Sequence, residues 1–387
     1  MENYFRFILA IFIGVYATFS CKDVPDKNTR TTGGEIPEKS TENPALKPDK
    51  TENSKKTSVV KKIAPETKTS IPEISSEEAV EILYPEKKDA EIRKQLSKEC
   101  SGNNKEKIIC LLKNLYKKDK KALELAISFF NRSGNIAGRH GHETMEGGWR
   151  GIVKIVPALP VGNHRRHLRD VTASFEEYDD FLKWLSKSAK KPVKFRISHI
   201  AFKFFKTPGK RTPSASAWKW TINYNLFGSL LLNIEGIRET LYHELFHLND
   251  AQHKNWSEKQ LMKTYNSILE KCKKYMVKGH RQGEKYQKCL RPYSPYKTTV
   301  LKDNVFYAFH RDSDVGEYGA ELAVRFYVEH RAIMKKLSIG EQKKILGSSA
   351  PGHFKCGPKE NALAWNLLRD EFFGGVDHTP PCKTPVD

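Results

Sequence analysis

Glu239-Thr240-Leu241-Tyr242-His243-Glu244-Leu245-Phe246-His247-Leu248-Asn249-Asp250 is the stretch that decides how this chain is read. Ile237, Leu241, Leu245 and Leu248 recur at spacings of four and three, an apolar stripe that predicts a helix from about Gly236. Within it lies the pattern H-E-x-x-H. Residues i and i+4 of a helix stand one above the other, so His243 and His247 can reach a single metal ion. Zn²⁺ takes imidazole nitrogen at about 2.0–2.1 Å. Glu244 stands beside them, placed to take a proton from a water that the metal activates. A helix whose histidines are plain surface or core residues is the simpler alternative, but it leaves that spacing unexplained.

Working outward, the residues before this helix are rich in strand signals. Segments 152–159, 195–205, 218–224 and 229–234 read as strands. Phe175, Tyr178, Phe181, Leu182 and Leu185 mark a helix over 175–185. Residues 206–216, with Pro208-Gly209 and Pro213, read as a turn-rich loop, and the Gly- and His-rich residues 134–151 as another. Strands and helices mixed in this way predict an α+β fold. Nearer the N-terminus, Ser75 caps an acidic first turn over 76–83, and amphipathic stretches follow at 90–96 and 108–130. Residues 73–135 are thus a small helical region. No internal repeat is apparent.

The first 72 residues are of another kind. Residues 7–19 are a nearly unbroken apolar run, too short for a membrane-spanning helix but suited to the core of a signal peptide. The run ends in Thr18-Phe19-Ser20-Cys21, which resembles a bacterial lipoprotein signal. Cleavage after residue 20 would leave Cys21 as the lipid-bearing first residue, anchoring an exported protein in the cell envelope; plain secretion is the alternative. Residues 21–72, rich in Lys, Thr, Glu, Pro and Ser, cannot bury enough apolar surface to offset ordering entropy and read as a flexible tether. Removing Cys21 leaves six of the seven cysteines, an even number that suits disulfides in an exported chain. Neighbour pairing gives Cys100–Cys110, Cys272–Cys289 and Cys356–Cys382. No CxxC occurs, which argues against a zinc ribbon.

A formal net charge of +21, with 29% of residues charged, favours anionic surroundings such as acidic cell-wall polymers or lipid headgroups. A solvated lysine-rich surface explains most of it equally well, and no nucleic-acid-binding motif is present. His164 and His167 among Arg165, Arg166 and Arg169 suit a polyanion patch or a solvated face. The H-x-H pair His140 and His142 sits in the glycine-rich loop and reads as solvated.

A catalytic zinc needs a third protein ligand and an open position. Gly316-Glu317-Tyr318-Gly319-Ala320-Glu321-Leu322-Ala323 offers two carboxylates one turn apart on a helix, able to act as ligand and ligand support, though an exposed helix with paired glutamates fits the same residues. The two segments together resemble the catalytic domain of anthrax-toxin lethal-factor-type metallopeptidases, a gluzincin group. That resemblance implies a zincin-like domain, a small mixed sheet plus an active-site helix, over residues 136–340. It implies Glu317 as third ligand, with Asp250 and Glu321 supporting the ligands. Seventy positions separate His247 from Glu317, an interval holding Cys272 and Cys289. Where the family carries an oxyanion-stabilising tyrosine, seven residues before the third ligand, this chain has His310. His310 or Tyr307 is then the candidate donor. Residues 341–387 are expected to form a disulfide-stapled extension. The expected activity is zinc-dependent cleavage of protein or peptide substrates by a metalloendopeptidase. Hydrolysis of peptidoglycan cross-links and an inactive zinc-stabilised binding protein are the alternatives.

Overall fold

The computed structural model describes residues 72–146, 151–300, 304–338, 340–342 and 352–382. The apolar run at 7–19, Cys21 and the tether lie outside the described residues. Among those described, no helix is long and apolar enough to cross a membrane.

The architecture is α+β. At its centre β4 (Ala201–Lys206) buries Phe202, Phe204 and Phe205. Side chains on both of its faces are covered, which places the strand inside the sheet. It runs parallel to β1 (Ile136–Arg139) along one side and to β6 (Thr221–Asn225) along the other. Beyond β1, the last residues of β4 pair antiparallel with β3 (Ile152–Pro157), which in turn pairs with β2 (Glu143–Glu146). The opposite edge is β5 (Ala215–Trp218), antiparallel to β6.

Three long helices pack together beside this sheet: α5 (Arg165–Ser186), α6 (Ile234–Gln252) and α10 (Val315–Met334). Aromatic rings join them. Tyr242 of α6 stacks on Tyr327 of α10 at 4.4 Å between ring centroids, and on Phe195 at 5.0 Å. Tyr178 and Phe181 of α5 meet these rings edge-on, a favoured arrangement for aromatic pairs. At the far end of α6, Asn249 accepts from the Arg196 amide and donates to its carbonyl. These contacts tie α6 at its middle and near its C-terminal end.

The N-terminal helices α1 (Ser76–Leu83), α2 (Ala90–Glu99), α3 (Asn104–Leu115) and α4 (Lys120–Ser133) share this core. Both α1 and α4 pack on β1. Between α6 and α10 come α7 (Trp256–Gln260), α8 (Met262–Cys272), α9 (Glu284–Leu290) and the short hairpin β7 (Thr299–Val300) and β8 (Val305–Phe306). The long interval is therefore a helical insertion, pinned by Cys272–Cys289. The other two disulfides are Cys100–Cys110 and Cys356–Cys382, the neighbour pairing expected.

Several local expectations change. The segment 134–151 holds two strands, β1 and β2, rather than only a loop. Residues 218–224 span the end of β5, a turn at Lys219 and Trp220 with φ of 46° and 57°, and most of β6. Residues 229–234 form no strand: Leu231 is buried at a turn, and Asn233 caps α6 by accepting the Gly236 amide. The stretch 108–130 is two helices, broken where Asp119 caps α4 and binds Arg165. In 195–205 only the last five residues are strand. The C-terminal extension supplies core: α11 (Lys359–Phe372) buries Trp365, Leu368 and Phe372 completely.

Candidate metal centre

His243 and His247 project from one face of α6, and α10 lies across them. The first turn of α10 carries Glu317, fixed by Asp314, which caps the helix through the Gly316 and Glu317 amides. Glu317 Oε2 lies 3.0 Å from His243 Nε2 and 3.5 Å from His247 Nε2, and the two imidazole nitrogens are 3.1 Å apart. Tetrahedral ligands at about 2.0–2.1 Å from a common centre stand about 3.3–3.4 Å apart. The observed triangle matches that size. Among the described residues, these three side chains are grouped so that they could hold a metal ion. The two sequence segments are thus brought together as expected.

The electrostatics favour a cation at that point. Burial opposes charge on His247, yet Glu317, Glu244 and Asp250 outweigh it and raise the imidazole to about 9. Burial likewise disfavours the Glu317 carboxylate, but the two histidines hold it well below the usual range. For Glu244 burial dominates and raises the carboxyl to about 8, with Glu317 adding and His247 opposing.

Around the triad, Glu321 stands one turn beyond Glu317, its Oε1 3.9 Å from His243 Nδ1. This is the side from which a carboxylate orients a ligating imidazole. Asp250 acts on His247 by its charge and also bonds within the chain turn. Its carboxylate accepts from the amide and hydroxyl of Ser257 at 2.6 and 2.8 Å, so it shapes the turn between α6 and α7.

The two donor candidates differ in the contacts they make. Tyr307, buried at 6% exposure, has its ring centroid 6.2 Å from that of His243. Its phenol is raised well above the ordinary value by burial first, then by Glu317 and Glu244. His310 accepts from the Asp312 amide at 3.2 Å and serves the turn before α10. The other histidine clusters dissolve. His167 is buried and bonded to the Tyr224 hydroxyl, while Arg165 and Arg169 pair with Asp119 and Asp170. His142 pairs with Glu86, and His140 with the Gly141 carbonyl.

Beside the triad is a cavity of about 100 Å³, lined by His243, Tyr307, Glu321, Glu239, Thr240, Tyr296 and Thr298, with apolar walls from Leu230, Gly236 and Val324. Glu239, Tyr296 and Thr298 were not among the residues expected here. Glu239 was within reach, being one turn before His243 on the same helix face; Tyr296 and Thr298 come from the insertion and carry no motif.

Comparison with protein-family models, curated proteins and solved structures gives no match.

Proposed function

We propose that this protein is a zinc-dependent metalloendopeptidase of the lethal-factor-like gluzincin type, acting on proteins or peptides at the bacterial cell envelope. The observation that carries this is the triangle of His243, His247 and Glu317 with Glu244 and Tyr307 beside it. Two imidazoles and a carboxylate form the donor set that suits catalytic zinc, leaving a position open. Bound there, Zn²⁺ would supply Lewis acidity to a substrate carbonyl and lower the pKa of water.

The chain's own residues do the rest. Glu244 takes the proton of the attacking water and passes it to the leaving amine. Burial raises its carboxyl, and a cation bound at the triad would draw it back toward the ionised form that a general base needs. Tyr307 donates to the oxygen on which charge develops. Glu321 orients His243. The strand β5, at the edge of the sheet among the described residues, packs against α6 and offers that backbone edge to an extended peptide. Export and lipid anchoring through Cys21 accord with three disulfides, which persist in oxidising compartments.

Exhaustive chelation should abolish hydrolysis of casein or a mixed peptide pool, and one equivalent of zinc should restore it. Undiminished hydrolysis by demonstrably metal-free protein would overturn the assignment.

A further inference from the structure

The cavity beside the triad is lined by oxygen acceptors: two carboxylates, Glu239 and Glu321, the Tyr296 phenol, and the hydroxyls of Thr240 and Thr298. Among the described residues, no lysine or arginine lines it. The Tyr296 side chain is 4% exposed, and its hydroxyl lies against the Glu239 carboxyl without closing a hydrogen bond of ordinary length and angle. A buried hydroxyl whose bonding is incompletely met leaves acceptor capacity for a ligand group. The charges of Glu239 and Glu321 both reach that hydroxyl. Lys297, exposed on the same segment as Tyr296, acts on both of these carboxyl groups.

Shape agrees with charge. Leu230, Gly236 and Val324 give the cavity an apolar wall, and its 100 Å³ is room for about three waters. An ammonium group brings three donors and no acceptor, on a methylene stem that packs against apolar surface. A carboxylate in this place would meet two other carboxyl groups, whereas the three donors of an ammonium meet acceptors on several sides.

Resting on the peptidase reading, we infer that this cavity is a specificity pocket for a lysine-like cationic side chain next to the bond that is cut. Glu239 and the Tyr296 hydroxyl receive the ammonium, and Glu321 closes the far side. Because His243 lines both the pocket and the triad, a side chain seated there places its own backbone at the metal. The substrates are then peptides with a primary amine side chain at that position.

Two peptide hydroxamates test this, identical except for lysine or norleucine beside the chelating group. Their dissociation constants are measured by calorimetry on the zinc-loaded full chain. The lysine probe should bind at least tenfold more tightly. In Glu239→Gln the ratio should fall to about twofold or less, and in Glu239→Asp it should be partly kept. Bound zinc, read by atomic absorption on the same samples, reports that the centre survives each substitution. Equal affinity of the two probes in wild type, or an unchanged ratio in Glu239→Gln, overturns the pocket while leaving the peptidase reading intact. Binding of neither probe overturns the metal reading itself, and the pocket assignment with it.

Discussion

Gly319→Ala is a small change that should loosen the metal centre without touching a ligand. Gly319 lies on α10 between Glu317 and Glu321, facing α6. A methyl group there would sit 2.8 and 2.9 Å from two ring carbons of Phe246 and 3.3 Å from Ser257 Cβ. Carbon contacts are comfortable at about 3.5 Å, so helix or ring must move by about 0.7 Å. The ring has little room, being packed on Trp256 and Phe372 with centroids 6.4 and 5.6 Å away. Overpacking of this kind costs roughly 1–3 kcal/mol. Alanine regains about 1 kcal/mol of helix propensity, leaving a net loss of about 0–2 kcal/mol. The larger effect falls on zinc, because α10 carries Glu317 two residues away and ligand distances tolerate only about ±0.2 Å. Zinc affinity, measured by competition with a chromophoric chelator, should fall by roughly 10–100-fold, the range seen when ligand support is disturbed. Adding Phe246→Leu should restore part of it. A zinc affinity within twofold of wild type, with an unchanged melting temperature, would refute the reasoning.

Other expectations follow from single contacts. Tyr307→Phe should lower kcat by roughly 10²–10³-fold, as loss of one oxyanion donor does, with little change in zinc content, whereas His310→Ala should leave kcat within a few-fold; steady-state kinetics on one peptide decides. Glu329 is fully buried against Arg325 at 2.5 Å and accepts the Phe354 amide. Glu329→Ala strands that guanidinium, and calorimetry should show a loss of roughly 3–5 kcal/mol, about 6–15 °C in Tm. His167 is held at about 3, chiefly by burial and then by Arg166 and His164. The unfolded chain therefore binds a proton that the folded chain does not between about pH 6.5 and 3. Stability from this group is full above 6.5 and falls with pH across that window, at up to about 1.4 kcal/mol per pH unit. Denaturant titrations of His167→Gln should show a correspondingly shallower slope; an identical slope contradicts the assignment.

What the sequence disclosed was local and periodic. The α6 stripe, the His243–His247 spacing and the Glu317–Glu321 pair follow from helix geometry, and each lies within one element. What it concealed depends on partners distant in the chain. β1 is only four residues and contains Gly138, a poor strand residue taken alone. Gly138 is needed because a Cβ there would lie 2.3 Å from the Ile82 carbonyl, and the strand exists through its pairing with β4. The apolar run Leu230-Leu231-Leu232 reads as strand, yet Leu232 is 54% exposed and the backbone turns to enter α6. Asp250 also bonds Ser257, a partner that no spacing announces. The acceptor-lined cavity needs Tyr296 and Thr298 from an insertion whose fold is set by α8, α9 and their disulfide.

The most direct test compares wild type with Glu244→Ala, measuring bound zinc and peptide hydrolysis on the same samples of purified protein with disulfides intact. Both proteins should hold about one zinc, since Glu244 is not a ligand, and only wild type should cleave. Wild type that binds no zinc, or Glu244→Ala that cleaves at the wild-type rate, would contradict the assignment of His243, His247, Glu317 and Glu244.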